Sequence, residues 1–227
     1  MRSKSEAAAA IVGAVALVGC SSQAPIVYGP GPVTPVGLPG PLSEQGPFQP
    51  NLELKICPGR PGTNAPPVDN QRRVMGYAPL ILVNGVVLSA APANDACMTS
   101  GFGPRFGREH KGIDLQSRPA GLVYSAGPGV IREAGVATGF GNYVLIEHGA
   151  GVFTRYAHLK AFGSGVFEGE RIGFGQPIGL MGATGNATAI HLHYEVLTGT
   201  YDTPRKSFGL KAHNPLNFPA YMLELQG

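Results

Sequence analysis

Gly185-Asn186-Ala187-Thr188-Ala189-Ile190-His191-Leu192-His193-Tyr194-Glu195-Val196 sets two histidines one residue apart at the head of an apolar, β-rich run. In a strand, successive side chains alternate between faces, so His191 and His193 point the same way, about 6 to 7 Å apart. One of them then suits a metal ligand, and the other a group that reaches what the metal holds. Glu195 shares the face of His193, where it either supports a ligand or simply packs. Taken alone, the pair fits two hydrogen-bonded strand histidines equally well.

Working outward, the chain from about residue 98 is a series of short β-rich runs with glycine at nearly every turn. Runs 129–135, 142–149, 152–159, 175–182 and 191–197 all read as strands, which predicts a mainly β domain over 98–227 built on an antiparallel sheet. Thirty-four glycines and 21 prolines agree with many turns and little helix. The sequence holds no phosphate-binding GxxxxGK[ST] loop and no GxSxG nucleophile elbow, and Gly101-Phe102-Gly103 runs into proline, which suits a turn rather than a dinucleotide site. With a formal net charge of +3 and no basic tract, a nucleic-acid partner is not expected.

Two further places carry chemistry. In His110-Lys111-Gly112-Ile113-Asp114 the imidazole and the carboxylate are four apart, so they share a side whether the chain is helical or extended. They make half of a plausible zinc site, although HxxxD alone is also a common surface ion pair. The other is His158, in Arg155-Tyr156-Ala157-His158-Leu159, which alone would read as a structural histidine at a strand end.

HxxxD, YAHL and HLHYE in that order, with Thr99-Ser100-Gly101-Phe102-Gly103-Pro104-Arg105 before the first and Gly182-Ala183-Thr184-Gly185-Asn186 before the last, resemble the lysostaphin-type, or LytM-domain, zinc metallopeptidases that cut the peptide part of bacterial peptidoglycan. The resemblance runs from about Thr99 to Leu197. It implies an antiparallel β fold of the duplicated-hybrid-motif type with a groove, and one zinc ion held by His110, Asp114 and His193. It also implies that His158 and His191 flank the water that the metal activates. Three protein ligands leave the fourth tetrahedral position open, as a catalytic zinc site requires. Asn142, in Gly139-Phe140-Gly141-Asn142-Tyr143, matches an asparagine of similar sequences and reads as a structural or substrate-edge residue. Tyr194 stands where phenylalanine is frequent, and Arg155 puts a charge where an apolar or small residue is common. His148 and His213 read as solvated loop residues. Beside the enzyme stand two alternatives: a non-catalytic wall-binding or hydrolase-activating domain of the same fold, whose members typically lack a ligand, and a structural envelope lipoprotein. A monomer is expected.

The N-terminal part reads as an export and tethering device. Charged residues 1–6 and the apolar run Ala7 to Gly19 predict a cleaved signal over 1–19, since the run is shorter than the roughly 20 residues of a comfortable membrane span. Leu17-Val18-Gly19-Cys20 resembles the bacterial lipobox, which implies lipid on Cys20, a membrane anchor, and a place on the periplasmic face of the outer membrane. Residues 20–50, rich in proline and glycine, read as a linker. With Cys20 assigned to lipid, Cys57 and Cys97 are left as a disulfide pair that tethers residues 51–97 to the domain after them. Within that segment Leu80 to Leu88 reads as a hairpin turning at Asn84-Gly85. From its position the segment is expected to pack near the groove and restrict entry, with Asn64, Asp69, Asn70 and Asn94 as possible groups on the metal's side.

Overall fold

The computed structural model describes residues 46–59, 64–203 and 208–222; the expected signal, Cys20 and the linker up to residue 45 lie outside the described residues. In chain order the strands are β1 (Lys55–Ile56), β2 (Leu80–Val83), β3 (Val86–Ser89), β4 (Cys97–Ser100), β5 (Gly103–Arg105), β6 (Arg108–His110), β7 (Ile113–Gln116) and β8 (Leu122–Tyr124). They continue with β9 (Gly129–Ala137), β10 (Gly141–Gly149), β11 (Val152–Leu159), β12 (Ala161–Phe162), β13 (Arg171–Ile172), β14 (Pro177–Leu180), β15 (Leu192–Thr203) and β16 (Phe208–His213). The only helical element among the described residues is a 3-10 turn at Pro215–Asn217, capped by Asn214.

Nine strands make the main sheet, in the order β1-β4-β7-β15-β11-β10-β9-β13, with β16 also paired to β15. All its pairings are antiparallel except β1 with β4. The mainly β, antiparallel expectation therefore holds. β15 is long enough to serve two neighbours along one edge: Leu192 to Tyr194 pair with β7, and Val196 onward with β16.

Alternation divides the sheet chemically. One face carries Ile113, Leu115, Val144, Ile146, Tyr156, Leu192, Tyr194 and Val196, all fully buried in the main core. The other presents Asp114, Arg155, His193 and Glu195. β11 is buried at every position because both of its faces are covered.

The hairpin β2–β3 turns at Asn84 (φ 47°) and Gly85 (φ 82°), as the Asn-Gly pair predicts for a type I′ turn. It supplies part of the cover over the apolar face, and the Tyr194 hydroxyl donates to the Ser89 carbonyl at 2.9 Å. Residues 51–97 are consequently part of the same body rather than a tethered appendage. β1 and β4 belong to the main sheet, and Leu54, Ile56, Val74, Ile81, Val83 and Leu88 lie in the main core. Six such side chains contribute on the order of 10 kcal/mol, comparable with the whole stability of a domain.

Residues 46–50, expected to be the end of the linker, are held against the body. Phe48 packs on Tyr124 and Phe174 with ring centroids 5.0 and 5.5 Å apart, and Asn94 bonds to Gln49 and Pro47.

Cys57 and Cys97 form a disulfide with a Cα–Cα distance of 5.0 Å, closing the ends of the neighbouring strands β1 and β4 over a separation of 40 residues. Replacing both cysteines by serine is expected to lower the unfolding free energy by about 2 to 4 kcal/mol, read from denaturant melts, because the bridge restrains a long loop in the unfolded chain.

Candidate active site

Asp114 and His193 face each other directly across β7 and β15. His110 reaches them from the end of β6, which is separated from β7 only by Lys111 and Gly112. The HxxxD spacing is thus neither a helical turn nor one straight strand; it is two short strands with a break between them. Gly112 makes the break possible. A Cβ there would lie 2.4 Å from the Tyr194 carbonyl oxygen and 3.0 Å from the His193 ring, so any other residue would push β15 away.

Three donor atoms converge. His110 Nε2 lies 3.1 Å from Asp114 Oδ1 and 3.0 Å from His193 Nδ1, and His193 Nδ1 lies 3.0 Å from the same carboxylate oxygen. All three residues are buried. Bonds of 2.0 to 2.1 Å to a tetrahedral zinc would set ligand atoms about 3.3 Å apart, so this nitrogen, nitrogen and oxygen set fits that ion with only a slight outward adjustment.

The histidine tautomers follow from what each ring's other nitrogen meets. His110 Nδ1 meets the Gly101 carbonyl, His158 Nδ1 the Thr184 carbonyl at 2.8 Å, and His191 Nδ1 the Ala189 carbonyl at 2.8 Å. His193 Nε2 meets Glu195 Oε1 at 3.0 Å. Each of these oxygens accepts, so each of these nitrogens carries the proton. The opposite nitrogens of His110 and His193 point at the cluster, and those of His158 and His191 are left as its nearest free acceptors.

His191 does not sit in β15 with His193. It forms an isolated bridge to Gly182, one residue before the strand starts, and its Nε2 lies 3.6 Å from Asp114 Oδ1. His158, one residue before the end of β11, sits at an irregularity in the β10–β11 register, with φ at 62°. That left-handed backbone, costly for a non-glycine residue, turns its ring toward His191, with centroids 4.7 Å apart. Two glycine motifs explain each other here. Gly139-Phe140-Gly141 and Thr184-Gly185-Asn186 dock together through Asn186 N to the Gly139 carbonyl and Asn142 N to Thr184 Oγ1, both 2.9 Å. That docking holds the Thr184 carbonyl against His158.

Asn142 turns its side-chain amide to the Leu159 and Lys160 carbonyls at 2.9 and 3.4 Å, bracing the end of β11. Of the four polar residues expected on the metal's side, Asn64 alone comes near. It accepts from the Ser100 hydroxyl and the Gly101 amide, behind His110. Asp69 pairs with Arg73, Asn70 is exposed, and Asn94 holds Pro47. His148 and His213 are half-buried strand residues rather than solvated loop residues. His148 bonds to the Pro128 carbonyl and Thr154, and His213 to Thr198.

A groove of about 660 Å³ opens over the cluster, lined among others by Ser100, Arg105, Phe106, Glu109, Arg118, Phe140, Asn186 and Ile190. Among the described residues its lining begins at Thr99. None of the described residues of 51–97, the segment expected to restrict entry, lines it, and the nearest of them, Asn64, lies behind His110. Motif reading missed Arg105, which donates to Asp114 Oδ2 at 2.7 Å and leaves Oδ1 for the cluster. It also missed the Thr184 and Gly101 carbonyls, since backbone oxygens leave no residue-type signal.

Residues 108–204 match peptidase family M23. Over 99 residues, covering 43% of this chain and 22% of the relative, the sequence is 38% identical to the peptidoglycan DD-endopeptidase ShyC of Vibrio cholerae. Over 88 residues, 39% of this chain and 20% of the relative, it is 46% identical to the DD-carboxypeptidase/endopeptidase Mpg of Neisseria meningitidis serogroup B. The match is thus confined to about a fifth of each relative's length. A zinc-containing peptidase from Vibrio cholerae superposes with a TM-score of 0.50 at 28% identity, covering 63% of this chain and 47% of that one.

The charges of the site depend closely on one another. Burial disfavours the Asp114 carboxylate, but its close contacts with His110 and His193 outweigh it and hold the group ionised well below the usual range. Burial likewise opposes a charge on His193, yet its bonds to Asp114 and Glu195 raise its pKa to about 9. Metal-free His193 is therefore protonated at neutral pH, and an incoming ion must expel that proton. Calorimetric titration with zinc near pH 7, in buffers of different ionisation enthalpy, is expected to show release of about one proton per ion. Because the folded pKa is raised, the stability this group lends the metal-free protein is complete below about pH 6.5 and falls as the pH rises through about 9. Denaturant melts of chelated protein across that range test the sign.

Proposed function

We propose that this protein is a cell-envelope zinc endopeptidase that hydrolyses peptide bonds in peptidoglycan cross-links or stem peptides. The reading rests above all on four imidazoles, each with an oxygen on its outer nitrogen, gathered around one carboxylate at the floor of an open groove. The curated relatives named above, a peptidoglycan DD-endopeptidase and a DD-carboxypeptidase/endopeptidase, support the choice of peptidoglycan as substrate. A non-catalytic wall-binding domain would need no such arrangement, and here all five positions are filled.

His110 Nε2, Asp114 Oδ1 and His193 Nδ1 are the atoms that would hold the ion. A bound zinc supplies Lewis acidity, making water acidic enough to be a nucleophile near neutral pH and polarising the scissile carbonyl. Arg105 and Glu195 keep Asp114 and His193 aimed inward. The groove is large enough to seat a short stretch of peptide. Burial, reinforced by the neighbouring His191, pulls the pKa of His158 to about 4 against the opposing bond to Thr184, so its ring is neutral and its Nε2 accepts a proton at physiological pH. His191 presents a second acceptor nitrogen beside it. Between them the two rings take the proton that the attacking water loses and return one to the leaving amine.

Residues 1–19 act as the export signal in this reading, and lipid on Cys20 tethers the enzyme to the periplasmic face of the outer membrane. The sequence pattern supports this, and so does the envelope substrate of the relatives.

Incubated with purified peptidoglycan, protein lacking the first twenty residues is expected to release fragments, and a chelator should stop it. His110→Ala should lose both zinc and product. His158→Ala and His191→Ala should keep zinc while turnover drops by about 10²- to 10⁴-fold; unchanged turnover in both would remove the histidines from the reaction. Labelled palmitate should enter the full-length protein in cells and fail to enter Cys20→Ala.

A further inference from the structure

Behind His193 lies a buried charge pair that lines no part of the groove. Arg155 and Glu195 stand directly opposite each other in β11 and β15, two pairs along from Ala157 and His193 and so on the same face. Arg155 is 5% exposed and Glu195 1%. One Glu195 oxygen receives Arg155 Nη1 and the other receives His193 Nε2 at 3.0 Å, so the carboxylate is shared between the arginine and the ligand. The guanidinium carbon sits 4.5 Å from the centroid of the Phe140 ring, which forms part of the groove wall and lies 6.1 Å from the His193 ring.

The pair is a poor device for stability. Buried ion pairs are commonly replaced by apolar residues with no loss of stability, because desolvation offsets their attraction. This one also leaves Arg155 Nε buried without a hydrogen-bond partner among the described residues, a further cost. Its geometry instead serves His193. Glu195 must be fixed in place to hold the imidazole with Nδ1 facing the cluster, and without Arg155 on its other oxygen the carboxylate would be free to swing away. Asp114 is treated alike from the other side, its outer oxygen held by Arg105 at 2.7 Å. Both ligands on the β7–β15 pair thus have an arginine one step behind them.

We propose that Arg155 is a positioning residue for the metal centre. Acting through Glu195, it fixes the tautomer and orientation of His193 and ties that ligand to the groove wall at Phe140. The inference rests on the zinc-site reading above.

Zinc affinity by chelator competition, the visible spectrum of the cobalt-substituted protein and the thermal stability of the metal-free form are to be measured for wild type, Arg155→Met, Glu195→Gln, the double variant and Thr154→Val. The last removes hydrogen bonds from the opposite face of the same strand and controls for general weakening. Both single variants are expected to bind zinc 10- to 100-fold more weakly with an altered cobalt spectrum. The double variant should be no weaker than Glu195→Gln, since Arg155 acts through that carboxylate, and at least as heat-stable as Arg155→Met. Thr154→Val should lose stability and keep affinity and spectrum. Should Arg155→Met fail to fold, Glu195→Gln and the double variant still decide the matter. Wild-type affinity and spectrum in the variants, or zinc losses that add in the double variant, overturn the coupling alone. A wild-type protein that takes up no zinc overturns the metal-site reading, and this inference with it.

Discussion

The pairing of Asp114 with His193 across β7 and β15 is the constraint on which the site depends. Antiparallel register places two side chains opposite each other on one face at a spacing that backbone hydrogen bonds set, so two donor atoms are brought together before any metal contributes. The same register puts Ile113 against Tyr194 and Leu192 against Leu115 on the reverse face, where burial in the core locks it. A slip of one residue would bury the polar set and expose the apolar one. The third donor follows because Gly112 lets the chain double back closely enough for His110 to join them.

Around that pair the protein meets each polar demand with a defined partner. Every imidazole has an oxygen on its outer nitrogen, and Asp114 and Glu195 each have an arginine. In a site this buried, an unmatched group would change protonation or turn away, so the partners determine which atoms face inward. Several come from far along the chain. Asn64 secures Ser100 and Gly101, whose carbonyl orients His110, and Thr184 comes from the loop docked on Gly139 to Asn142. The early segment therefore contributes both core and support for a ligand, with the disulfide holding its strand beside β4.

Much of this was legible in the residues. Alternation in Leu192-His193-Tyr194-Glu195-Val196 marked a strand with one polar face, and Asn84-Gly85 marked its hairpin. Histidine and aspartate in three motifs, read together, pointed at one cluster, and the fold groups His110, Asp114 and His193 as a possible metal site. Legibility failed where the partner was a backbone atom or a residue distant in sequence. Arg155 stood out only as an unexpected charge, and His148 looked like a solvated turn residue because nothing nearby in sequence shows that it bonds Thr154 within a strand. Residues 51–97 looked separable because local pattern carries no sign that Leu54, Ile56, Val74 and Ile81 share a core with β11 and β15.

The His191-Leu192-His193 step shows where the division falls. Residue type and spacing determined that two imidazoles would lie near one another at the head of an apolar strand, because side-chain alternation is a local property of the backbone. Only the tertiary structure decided which atoms hold each ring and which way its free nitrogen faces. His193 is drawn into the ligand cluster by the strand opposite and by Glu195 behind it. His191, one residue before the strand, is held by Ala189 and faces His158. The reason is that an imidazole's role is set by what each of its two nitrogens meets, and those atoms come from β7, from the strand's own next turn of side chains, and from loops that only the folded chain brings together.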